Sequence, residues 1–156
     1  MKAPFVKTIF VLFTTLLFQN VQIRSQNISK PIKWDFILPT DYKVGDTLSI
    51  FYRAKIDEKW KMYSFDCDSI EYVKPAKFTI VSDESFEVIS PLEFSLSIEE
   101  FDKDLERKVK VFSNEVRLIQ KILVKKKVLK FTGKIDYHLF KEEDESGSVM
   151  LLSETF

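Results

Sequence analysis

The chain has 156 residues, 24 Lys and Arg balanced by 24 Asp and Glu, one His, one Cys and a hydrophobic share of 45%. That balance excludes a nucleic-acid binder driven by surplus positive charge, and a single cysteine excludes an internal disulfide. The length suits one domain able to bury a core and hold itself together by packing.

Residues 1–25, MKAPFVKTIFVLFTTLLFQNVQIRS, place Lys2 and Lys7 ahead of an apolar run from Thr8 to Phe18 and turn polar at Gln19 and Asn20. This is the pattern of a secretory signal peptide, with cleavage expected near Ser25. The run is shorter than the roughly 20 apolar residues that a membrane span needs, so no stable anchor is expected in the mature chain. No cysteine stands just behind it to accept a lipid. The expected domain is residues 26–156, in the periplasm or secreted. Lys2, Lys7 and Arg24 leave with the peptide and tip the mature chain to a net charge of −3.

From Lys30 onward the hydrophobic period is two. Ile32 to Leu38 opens the series. Thr47 to Ile56, TLSIFYRAKI, sets Leu48, Ile50, Tyr52, Ala54 and Ile56 on one face and Ser49, Arg53 and Lys55 on the other, the signature of a half-buried strand. Shorter candidates are Trp60 to Ser64, Lys77 to Val81, Phe86 to Ile89, Phe94 to Ser97 and Lys108 to Phe112. Glu115 to Val124 and Leu129 to Phe140 restore the long alternation, the second with Leu129, Phe131, Ile135, Tyr137 and Leu139 inward. Val149 to Ser153 closes the set. Turns fall at Val44 to Asp46, Asp57-Glu58, Ser82 to Glu84, Ser113-Asn114 and Lys125 to Lys127. Ile98 to Glu106 is the one segment whose spacing permits a helical turn. Many strands with no helical crossover predict an all-β, antiparallel β-sandwich.

Residues with chemical potential are few. Cys67, in FDCDS, stands between Asp66 and Asp68, whose charges disfavour a thiolate; it reads as a small half-buried side chain, or as one half of an intermolecular disulfide. His138 lies on the outward parity beside Lys134 and Asp136 and reads as a surface imidazole. Neither a metal-ligand set nor a hydrolytic triad is legible, and no cofactor is expected. The acids Glu142 to Glu145 in KEEDESGS are consecutive, where a calcium loop alternates them, so the segment reads as a solvated hairpin tip. Lys125 to Lys127 reads as a solvated turn.

Four pieces in order, PIKWDF (Pro31 to Phe36), KIDEKWKMYS (Lys55 to Ser64), EEFDKD (Glu99 to Asp104) and GKIDYHLF (Gly133 to Phe140), resemble the N-terminal periplasmic domain of the thiol:disulfide interchange protein DsbD, in particular its Bacteroidetes-type relatives. The most specific piece is Trp60 to Tyr63 after its acidic turn. The resemblance implies an immunoglobulin-like sandwich and electron transfer through two cysteines bracketing a loop, shielded by a cap phenylalanine. Aligned on Gly133 and Tyr137, the first cysteine falls at Phe140 and the second at Glu145 or Ser146, so both thiols are missing. Phe101 matches the cap. Disulfide exchange needs a resolving thiol, and without it the family's reaction is unavailable.

The expectation is therefore a redox-inactive, non-enzymatic module that binds a periplasmic or envelope protein through Phe101, Phe140, Trp60 and Tyr63. Phe140 either contributes to that contact surface or packs beneath Phe101. The alternative is a single-thiol disulfide-exchange protein using Cys67. A third reading makes the domain one component of a larger assembly.

Overall fold

Strict alternation from Thr47 to Ile56 and from Glu115 to Val124 produces the two longest strands of one sheet, because a period of two turns every second side chain to the same face. They pair antiparallel from Thr47 opposite Leu123 to Lys55 opposite Glu115. A computed structural model describes residues 30–70, 72–103, 105–141 and 149–156. The expected signal peptide, and the positions Glu145 and Ser146, lie outside the described residues.

Eleven strands are present among the described residues: β1 (Ile32–Ile37), β2 (Thr47–Ile56), β3 (Trp60–Tyr63), β4 (Lys77–Val81), β5 (Phe86–Val88), β6 (Glu93–Phe94), β7 (Ile98–Asp102), β8 (Arg107–Ser113), β9 (Glu115–Val124), β10 (Thr132–Lys141) and β11 (Val149–Thr155). The first sheet runs β1-β2-β9-β5, with β6 also on β9; the second runs β11-β10-β3-β8-β7, with β4 also on β10. Every pairing is antiparallel. Consecutive strands change sheets after β2, β4, β6, β8 and β9, which makes the body an immunoglobulin-like sandwich. At the change between β8 and β9 Asn114 takes a φ of 64°, a left-handed conformation that Asn tolerates well, and its carbonyl accepts the Ile56 amide at 2.8 Å.

The core lies between the inner faces. Ile50, Tyr52, Ala54, Val116, Leu118 and Ile122 of the first sheet meet Met62, Phe112, Ile135, Tyr137 and Leu139 of the second. Each such aliphatic or aromatic side chain removed from water contributes about 1.5–3 kcal/mol before the chain's entropy is set against it. Gln120 is the polar exception on an inward position, and its Nε2 donates to the Ser90 carbonyl at 2.8 Å.

Three sequence expectations need correction. In place of the helical turn expected within Ile98 to Glu106, Ile98–Asp102 is edge strand β7, in register from Ile98 opposite Val111 to Asp102 opposite Arg107. The chain then reverses with Glu106 at a φ of 51°. Pairing with β8 satisfies the backbone of a segment too short to hold a helix by itself. Of Phe94 to Ser97 only Phe94 is in a strand, as the second residue of β6, where Glu93 and Phe94 lie opposite Ile119 and Leu118. The strand expected from Leu129 begins its ladder at Thr132; Leu129 and Phe131 still pack on the core, with Phe131 stacked on Phe36 at 5.3 Å.

Candidate functional site

Along β3, Lys61, Met62 and Tyr63 are all buried, and along β8 both Val111 and Phe112 are. A strand with one wet face cannot do that. Register assigns the parities: Met62 lies opposite Phe112 and Leu139, all in the main core, whereas Tyr63 lies opposite Val111, and Lys61 opposite Phe140 and Ser113. The second parity feeds a separate apolar cluster of Tyr63, Cys67, Val73, Val109 and Val111, with Ile70, Leu105 and Phe140 packed against it. The outer face of the second sheet is therefore covered over β3 and β8.

The cover is the connection from β3 to β4. Its ends meet where the Ala76 amide donates to the Ser64 carbonyl at 3.1 Å, and its tip closes on itself through reciprocal Ile70 and Val73 backbone bonds of 2.8 and 3.2 Å. This is a compact Ω-loop that turns Cys67, Ile70 and Val73 onto the sheet. His138 supports it from β10, its Nδ1 lying 3.2 Å from the Lys74 carbonyl oxygen.

Cys67 is 8% exposed. Burial first, then the charges of Asp66 and Asp68, push its thiol up to about 11. Asp66 is held below the usual carboxylate range by Lys110, 2.7 Å away, and by the Ser64 hydroxyl. Asp68 pairs with Arg107 at 3.0 Å. A cleft of about 110 Å³ beside the thiol is bordered by these ion pairs and by Val109. At neutral pH the arrangement keeps Cys67 protonated and poorly nucleophilic.

The Phe140 ring packs on Tyr63 with centroids 4.7 Å apart. Tyr63 donates its hydroxyl to Asp102 Oδ2 at 2.8 Å, and the Lys61 ammonium, on a side chain 11% exposed, pairs with Glu100. These two links tie β3 across β8 to β7. Trp60 is half-buried against the main core. Phe101 is 63% exposed and makes no ring contact among the described residues, so Phe140 sits on Tyr63 and not beneath Phe101. Leu96 and Ile98 are exposed near it in the chain. Sequence reasoning missed Lys61, Glu100 and Asp102, together with the Val73, Val109 and Val111 layer. The available signal was the adjacent apolar pair Val111-Phe112, which alternation with one solvated face does not produce.

The sequence matches no protein-family model and no curated protein. Among solved structures it is similar to the N-terminal periplasmic domain of ScsB from Proteus mirabilis, with a TM-score of 0.56, 11% identity and coverage of 81% of this chain and 45% of that one. The chain shares the ScsB domain's fold. The Neisseria meningitidis DsbD N-terminal domain in its reduced form matches with a TM-score of 0.49, 13% identity and coverage of 83% and 87%. Like the resemblance read from the sequence, the ScsB likeness is one of architecture. This chain carries one cysteine, buried and unpaired, on the loop between β3 and β4. Among the described residues no helix is long and apolar enough to cross a membrane, and no group of three His, Cys, Asp or Glu side chains is placed to hold a metal ion.

Proposed function

We propose that this chain is an exported, redox-inactive relative of the DsbD N-terminal domain that serves as a protein-binding module in the periplasm or cell envelope. The observation that carries the reading is Phe140. At the position where the resemblance puts the first thiol, an aromatic ring fills the space against Tyr63, and the site is built for packing instead of sulfur exchange. Contact is made by the exposed apolar edge at Leu96, Ile98 and Phe101. The single-thiol alternative is opposed by the burial of Cys67 and by a thiol pushed up to about 11.

The test is a pair of measurements on the purified protein. In a dithiol-disulfide exchange assay with a thioredoxin-like donor, the expected result is no turnover above the uncatalysed rate; sustained turnover ends the redox-inactive part. In crosslinked envelope extracts, Phe101→Ala and Ile98→Ser are expected to lose a partner that the wild type retains. Equal recovery of every partner removes the β7 edge as the contact surface.

A further inference from the structure

The outward face of the first sheet is not uniformly polar. Register sets Ile37 of β1 opposite Phe51 of β2, and Phe51 opposite Ile119 of β9, so three apolar side chains of one parity stand in a row across the sheet. Ile37 is 59% and Phe51 42% exposed, Ile119 is half-buried, and Leu123 extends the patch along β9. The charges beside this row have a pattern of their own. One step along the strands Asp35, Arg53 and Arg117 stand abreast, and one step further Lys33, Lys55 and Glu115. Arg53 and Arg117 share the Glu115 carboxylate, Arg53 at 2.6 Å on one oxygen and Arg117 on the other. One anion thus serves two guanidiniums, while Asp35, on the edge strand, takes part in no ion pair among the described residues. The face carries an unpaired acid at one flank and a half-neutralised base at the other.

We propose that this face is a dimer interface, in which a second copy of the chain stacks its first sheet on this one about a two-fold axis running along β2. Such an axis exchanges β1 and β9. It lays Ile37 on Ile119 of the second copy, Phe51 on its own counterpart, Asp35 on Arg117 and Lys33 on Glu115, and symmetry makes each unlike contact twice. Arg53 and Lys55 meet their own counterparts, Arg53 already neutralised by Glu115 and Lys55 exposed to screening water. An axis across the strands would instead set Arg117 against Lys121, so the charges select the first arrangement. Two such faces ordinarily pack with their strands within about 30° of each other. Four strands abreast, about 4.8 Å apart and up to ten residues long, give roughly 600 Å² per copy and about 1,200 Å² in all, the low end for a stable interface. The association uses the sheet opposite the β7 edge and stands whether or not a partner binds there.

The experiment is sedimentation equilibrium of the purified protein from about 1 to about 200 µM, where a reversible monomer to dimer equilibrium with a Kd on the order of 10 µM is expected. Phe51→Lys is expected to stay monomeric throughout; if circular dichroism shows that it does not fold, Ile37→Lys on the edge strand takes its place. Asp35→Arg and Arg117→Asp are each expected to weaken association about tenfold, and the double variant to return to within about threefold of wild type. A pair formed within one chain would not restore association, so the recovery reads the contact between copies. Phe101→Ala, on the other sheet, is expected to leave the Kd unchanged. A protein that stays monomeric to about 200 µM overturns the proposal and leaves the face to a different protein. A dimer that survives the lysine substitutions, or a double variant that associates no better than the single ones, overturns it as well.

Discussion

A thiol between two aspartates reads in sequence as a poor nucleophile, and the fold makes it poorer by burying it. The pH consequence has a definite sign. The folded state, with Cys67 raised to about 11, keeps its proton where an unfolded thiol near 8.5–9 has lost it. Below about pH 8.5 both states are protonated and the thiol adds no pH dependence. Through the window from about 9 to 11 the unfolded chain alone ionises, so stability falls as pH rises, by about 3 kcal/mol if the full shift is realised. Urea titrations at about pH 8 and about pH 11 are expected to show the wild type losing that much more than Cys67→Val; parallel losses would mean the thiol is not desolvated. At Glu106 the φ of 51° strains any residue with a Cβ. Glu106→Gly is expected to raise stability by about 0.5 kcal/mol, relief of strain outweighing the entropy that glycine adds to the unfolded chain.

Strands with one dry and one wet face were legible: β2 and β9 begin and end where alternation sets them, Thr47 to Ile56 and Glu115 to Val124. Two kinds of element were not. Edge strand β7 and the turn after it carry Ile98, Phe101 and Leu105 at spacings that fit a helix, and only pairing with β8 selects the extended form over Ile98–Asp102. Covered faces were hidden as well. Phe140 has outward parity, and nothing local in sequence announces that the β3–β4 connection folds back over that side. The site was accordingly half legible: Phe140, Tyr63, Phe101 and Cys67 were singled out, but not the layer that joins three of them. The two phenylalanines now separate by measurement. Phe140→Ala is expected to cost about 2 kcal/mol by emptying the contact with Tyr63, and Phe101→Ala to stay within about 0.5 kcal/mol, both read from urea midpoints. Gly133, which anchored the family resemblance, has only ordinary contacts around an added Cβ, the nearest being Phe78 at 3.6 Å. Its smallness is not a steric demand of this fold.

At the scale of the molecule, a sandwich with no disulfide must keep its two sheets together by packing alone, and its aromatic residues concentrate where the β1 and β11 edges face each other. Phe156 stands at the centre of that side. Its ring meets Tyr52 at 5.3 Å, Phe36 at 6.2 Å and Trp34 at 6.3 Å, all three from the first sheet. Its backbone exchanges two hydrogen bonds with Gly133 of the second. Trp34 in turn reaches Tyr137, and Lys30 pairs with Glu154, so one side chain at the end of β11 completes a bridge that both sheets share. Aromatic pairs of this kind contribute about 0.5–1.5 kcal/mol each beyond the area they bury. Phe156→Ala is therefore expected to cost about 3 kcal/mol, and Phe156→Leu, which keeps volume but loses the ring geometry, about 1 kcal/mol. A Phe156→Ala midpoint within about 0.5 kcal/mol of wild type would show that the sheets are held by the main core alone and that the aromatic side is only a cover.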